Sequence, residues 1–255
     1  MRNAMDYPLV VFLSTLVAMS FSAWIGASLL RRVKALTAES REDFNVVQAA
    51  TLTLLALMIG FSFSMAVGRY DQRKNYEEEE ANAIGTEFVR ADLLPAADAQ
   101  QVRTLLGHYL EQRMLFYTTR DVQELEQVNT ATAQLQSGLW AAVRDAAAAQ
   151  PTPVTALAVA GMNDVLNSQG YTQAAWWNRI PIAAWGLMVA IAVCCNLLVG
   201  YGARSAKAGL TLLLVLPLVV ATSFALIADI DSPRGGIIRV SPINLVATAR
   251  SLSPG

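Results

Sequence analysis

Residues 46–68 form an apolar run in which small side chains recur at every third or fourth position: Ala49, Thr53, Ala56, Gly60, Ser64 and Gly68. On a helix these share one face. Such a stripe can let two backbones approach closely, as small residues do in membrane bundles. It can also leave room along a pore, where Thr53 and Ser64 would offer hydroxyls to a passing ion. Phe61 and Met65 lie on the adjoining face, where they contact lipid or core, or form an apolar constriction that gates by dewetting. On the pore reading the lining residues are Thr53, Gly60, Phe61, Ser64, Met65 and Gly68. Arg69 follows at once, Arg73 one turn later, and Arg179 opens another apolar run. Rings of arginine in an oligomer attract anions, so these three are the candidate anion-attracting groups. The ordinary alternative is that they snorkel to headgroups or pair with the acidic run Glu77, Glu78, Glu79 and Glu80.

Other chemistry is sparse. Glu79, Asp229 and Asp231 would bind a hard cation only if the fold gathered them, and they lack an EF-hand spacing. They read as solvated acidic groups, and no metal site is expected. His108 is the only histidine, which excludes a multi-histidine metal site within one chain. Asn196 is the one amide deep in its apolar run and is expected to hydrogen-bond between helices. Cys194 and Cys195 are adjacent and say nothing about redox compartment. No P-loop, dinucleotide turn, zinc-protease helix or nucleophile elbow is present, so the sequence predicts neither an enzyme nor a cofactor. With a net charge of −1, nothing points to nucleic acid.

The elements that must position these residues follow from hydropathy. The 255 residues are 54% hydrophobic and only 15% charged, too apolar for an ordinary soluble domain. Four charge-poor runs are long enough to cross a bilayer: 8–30, 46–68, 180–201 and 208–230. The sequence therefore predicts an all-α membrane protein with four transmembrane helices: a first hairpin in 1–68, a water-facing helical segment in 69–179, a second hairpin in 180–231 and an extended tail in 232–255. Trp176, Trp177 and Trp185 are expected as an interfacial belt. Pro181 belongs at the start of its helix, and Pro217 lies mid-span. In the helical segment the second span is expected to run on until Pro95. Helices over about 96–119, 122–149 and 154–177 then pack as an antiparallel bundle, the last feeding into the third span. The basic residues near the first and last loops (Arg31, Arg32, Lys34, Arg41, Arg204 and Lys207) favour those loops inside and the helical segment outside, as the first hairpin does by itself, but the count on the opposite side brings the whole chain close to a tie.

Three separated motifs carry a family resemblance. They are Arg69-Tyr70 with Arg73 and the run Glu79, Glu80, Ala81, Asn82, Ala83, Ile84, Gly85, Thr86; Arg179, Ile180 and Pro181 with Trp185; and the run from Asp231 through Ser232, Pro233, Arg234, Gly235 and Gly236 to Pro242. Together they resemble the prokaryotic bestrophin-like family over essentially the whole chain. Gly60-Phe61, Val67 and Arg69-Tyr70 are similar to the pore helix of bestrophin anion channels. The resemblance implies a homo-oligomer, pentameric as in bestrophins, that conducts small inorganic ions such as chloride through the second helix. It implies a multi-pass location in the cell inner membrane, with helical segment and both termini cytosolic. The competing reading is a non-conducting membrane-anchored sensor or scaffold whose helical segment binds a partner.

Overall fold

The computed structural model of the protein describes residues 4–30, 36–37, 39–203 and 210–252. Arg31, Arg32, Lys34, Arg204, Lys207 and the first residue of the fourth expected span, Ala208, lie outside the described residues. All regular structure among the described residues is helical, and four helices are long and apolar enough to cross a membrane.

The first is α1 (Pro8–Ile25), entered on a proline at its N-terminal turn and continued by a π-helical turn, Gly26–Leu30. The second is α2 (Ser40–Arg90), 51 residues without a break. No proline interrupts it, and Gly60, Gly68 and Gly85 are too few to end so long a helix. It stops at a short turn, Ala91–Leu93, before Pro95. There follow α3 (Ala96–Thr118), α4 (Val122–Ala149) and α5 (Thr155–Trp177). Asp121 caps α4 by accepting from the N–H groups of Gln123 and Glu124 at 2.9 and 3.0 Å. Next come α6 (Ile182–Gly202) and α7 (Leu210–Asp231), with Pro217 inside α7 and not ending it. The last is α8 (Ile243–Leu252).

Two compact units result: Met1–Tyr70 with Arg179–Arg239, and Asp71–Asn178 with Val240–Gly255. In the first, α1 packs against α6 and α7. Its core joins Met19 of α1, Leu55 and Ala66 of α2, Met188 and Ala192 of α6, and Phe224 and Ile227 of α7. In the second, α3 packs against α4, α4 against α5, and α8 against α3.

Four expectations need correction. The tail is not extended throughout, because residues 243–252 form α8. Its exposed amides are met by a residue far away in sequence: the Glu77 carboxylate accepts from the N–H groups of Asn244 and Leu245, both at 2.9 Å, and from Asn244 Nδ2 at 2.7 Å. A carboxylate at a helix N-terminus also complements the helix dipole. The bundle does not run directly into the third span, since residues 178–181 are non-helical ahead of α6. The tryptophan belt reduces to Trp177, which is 74% exposed. Trp176 is a core residue, 4.8 Å from the Phe116 ring, and Trp185 packs edge-on to Phe224 at 5.9 Å. Finally, Asn196 bonds within its own helix, donating from Nδ2 to the Ala192 carbonyl at 2.8 Å.

Candidate functional site

The middle of α2 holds the residues singled out from sequence. Thr53, Gly60, Phe61, Ser64, Met65 and Gly68 are all exposed, while Leu55, Ser62 and Ala66 on the other side of the same turns are buried. A Cβ placed on Gly60 or Gly68 would meet nothing within 4 Å. The small stripe is thus not where this protomer brings its own helices together. That task falls to two glycines the sequence reading passed over. A Cβ on Gly26 would overlap the Leu197 carbonyl and lie 2.8 Å from the Tyr201 nitrogen. One on Gly200 would overlap the Ala23 carbonyl. Backbone of the first span and backbone of α6 therefore touch through a pair of glycines, the close approach that small residues permit in membranes. Nothing in sequence separates these glycines from Gly60 without knowing which helices meet.

At the end of this unit the structure gathers charges. Asp231, only 2% exposed, faces Arg69 Nη1 at 3.4 Å and Arg179 Nε at 3.6 Å. Its two oxygens also accept from the Ile180 N–H at 3.2 and 3.1 Å. Arg179 pairs in addition with Asp6, which accepts from the Ser232 hydroxyl at 3.2 Å. Arg69 and Arg179 thus share one carboxylate. Their counter-charges are Asp231 and Asp6, rather than the glutamates that follow Arg69. Asp229 is spent on backbone, accepting from the N–H groups of Ile237 and Ile238, both at 2.8 Å. That clamp turns the chain sharply after α7. Gly235 and Gly236 are required there, since a Cβ on Gly235 would overlap the Asp6 carbonyl and one on Gly236 would lie 2.6 Å from the Asp229 carbonyl. Both acids at the end of the last span were visible in sequence, but the role of Asp231 as partner to two partly buried arginines needs the fold.

The third arginine, Arg73, is buried in the helical unit. That unit has its own polar centre. Glu80 accepts from Arg113 Nε and Nη2, the latter at 3.3 Å, from the Tyr117 hydroxyl at 3.3 Å and from the Thr172 hydroxyl at 3.1 Å. All four side chains are buried, and the Arg113 guanidinium lies 4.4 Å from the Phe116 ring centre. Burial pulls the Arg113 pKa down, but Glu80 and the tyrosine hydroxyls together raise it above its ordinary value, so the guanidinium stays charged. Burial first, and the Glu80 charge second, push both Tyr109 and Tyr117 well above the usual phenol range. Tyr109 and Arg113, one helical turn apart, share an inward face of α3. His108 and Glu79 are exposed on outward faces.

Four membrane-length helices, a second helix that runs far beyond its span, and a buried polar helical unit define an all-helical integral membrane protein. A family model for the Bestrophin-like domain matches residues 15–245, and the chain belongs to that family. Among solved structures, a bacterial bestrophin homologue from Klebsiella pneumoniae superposes with a TM-score of 0.65 at 15% identity, covering 96% of this chain and 95% of that one. A variant of that homologue gives 0.65 at 13% identity, with 98% of each chain covered. At such identities the likeness concerns the fold. No match was found among curated protein sequences.

Proposed function

We propose that the chain is one subunit of an oligomeric ion channel whose pathway is lined by α2. The observation that carries this reading is the exposed face formed by Thr53, Gly60, Phe61, Ser64, Met65 and Gly68 in a protomer that packs the opposite side of the same helix. Glycines and hydroxyls suit a narrow, wettable path better than acyl chains, and Phe61, 66% exposed, supplies bulk for a dewetting constriction. A symmetric assembly, pentameric in bestrophins, brings one such face per subunit to the axis.

The family resemblance favours anions as the permeant class. The arginines are a weak source of that selectivity, because Arg69 and Arg179 each sit beside a carboxylate. A second reading, cation permeation, is favoured by Asp71, Glu78 and Glu79, which are exposed on the turns of α2 that follow. Recording purified protein in planar bilayers under a chloride salt gradient separates the two by the sign of the reversal potential. Gly60→Leu should cut conductance at least about tenfold, by filling the narrow face of each subunit. Its effect on protomer stability should be small, since nothing lies within 4 Å of that position. Unchanged conductance in that variant would remove this face from the pathway. A stable oligomer that carries no current would favour the membrane-anchored sensor or scaffold.

The location we propose is a bacterial inner membrane, with the helical unit and both termini in the cytosol. Gln134 is exposed on α4 and reports on that side. In a background carrying Cys194→Ala and Cys195→Ala, Gln134→Cys should resist a membrane-impermeant thiol reagent in intact cells and react after lysis. Labelling before lysis would reverse the orientation.

A further inference from the structure

Where α2 meets α5 within the helical unit, Glu87 is fully buried, and neither of its carboxyl oxygens has a hydrogen-bond partner among the described residues. The seat is shaped for it. Gly161 of α5 presents bare backbone, and a Cβ there would overlap Glu87 Oε2 and approach Arg90 Nη1 to 2.5 Å. Arg90, nearly one turn further along α2, is turned towards the exposed Asp164 of α5, 3.8 Å away. From α3, Arg103 is committed elsewhere: it pairs with Asp92 and donates to the Phe88 carbonyl at 3.3 Å. From α8, Thr248 approaches Gly85, and the basic group of that helix, Arg250, is exposed. The charges that bear on Glu87 are therefore Arg90, which favours its ionised form, and Asp164, which opposes it.

A carboxylate without donors is costly to bury, and a neutral carboxylic acid much less so. We propose that Glu87 is a proton-binding site that couples the packing of α2 against α5 to pH. In its neutral form the side chain seats on Gly161. Once ionised it is driven towards solvent and loosens the crossing.

Burial is the largest influence and, with the smaller push from Asp164, raises the Glu87 pKa to about 8 against the pull of Arg90. The sign follows from linkage. The folded form holds its proton more tightly than the unfolded chain does, so this contribution to stability is complete below the ordinary glutamate pKa. It is lost as pH rises towards 8 and is constant above.

The test uses the full chain in lipid nanodiscs. Infrared difference spectra should show a protonated-carboxyl stretch at low pH that disappears with a midpoint near 8 and is missing in Glu87→Gln. Asp164→Asn should lower that midpoint, because it removes a repelling charge. The opening constant of the α2–α5 contact, from hydrogen exchange corrected for intrinsic rate, should rise about tenfold per pH unit from about pH 5.5 to 7.5 and level off above about 8.5. Glu87→Gln should be flat over the same range. A stretch that titrates in the usual carboxylate range, or that survives in Glu87→Gln, overturns the proposal. So does an exchange profile shared by the wild type and Glu87→Gln.

Discussion

Arg113→Met should destabilise the helical unit by about 3–5 kcal/mol, enough to unfold many domains, because it leaves the Glu80 carboxylate buried without its counter-charge. The remaining donors, Tyr117 and Thr172, are neutral hydroxyls at 3.3 and 3.1 Å and cannot replace a guanidinium. Met fills much of the Arg113 volume, so the loss measures charge and hydrogen bonding more than a cavity. Adding Glu80→Gln to Arg113→Met should restore roughly half of the loss, since a neutral amide oxygen still accepts from both hydroxyls and no charge is stranded. Denaturant unfolding followed by tryptophan fluorescence reads this directly, because Trp176 packs on Phe116 and Tyr117 at 4.8 and 5.4 Å. If Arg113→Met and the double variant were equally stable, the cost would lie in packing and the ion pair would not be the organising contact.

The second large effect belongs to Gly200. Gly200→Ala adds one methyl where the Ala23 carbonyl stands, and that atom is backbone, unable to swing aside as a side-chain tip can. Overpacking of this kind costs about 3 kcal/mol. Here it should also part α1 from α6, lowering yield and thermal stability in detergent before any function is measured. Gly60→Ala serves as the control, with no neighbour to strike. Equal thermal stability of Gly200→Ala and the parent protein would refute the close backbone approach.

Much of the fold was legible in the sequence because the signals are local. Apolar run length picked out four membrane-length helices, and Pro95 marked the break ahead of the helices that the structure places at Ala96–Thr118, Val122–Ala149 and Thr155–Trp177. What stayed hidden depends on partners far apart in the chain. α8 was missed because its N-terminus is satisfied by Glu77, 167 positions before Asn244. Ser241 and Pro242 just ahead of it were a start signal that went unread. Of the candidate site, spacing alone groups the small residues of α2 on one face, and that face is exposed in the protomer. The state of Arg69 and Arg179 was not, since Asp231 and Asp6 become their neighbours only when the chain ends meet. Glu87 gave no local sign at all. A glutamate on a helix reads as solvated until a glycine on another helix is found beneath it.

The link between Arg179 and Asp6 spans 173 residues, and it orders events during synthesis. α1 is made before the other membrane-length helices, yet it packs against α6 and α7, which emerge after all the rest of those helices. At about 5–20 residues per second, the ribosome needs roughly 10–35 s to travel from Asp6 to Arg179. Through that interval the early aspartate has no arginine, Gly26 has no opposing carbonyl, and the first span sits in the bilayer without the helices that later enclose it. A chain truncated after α5 would remain in this waiting state. Ribosome-bound intermediates of increasing length should therefore expose α1 to an insertase or a protease until the final hairpin is released.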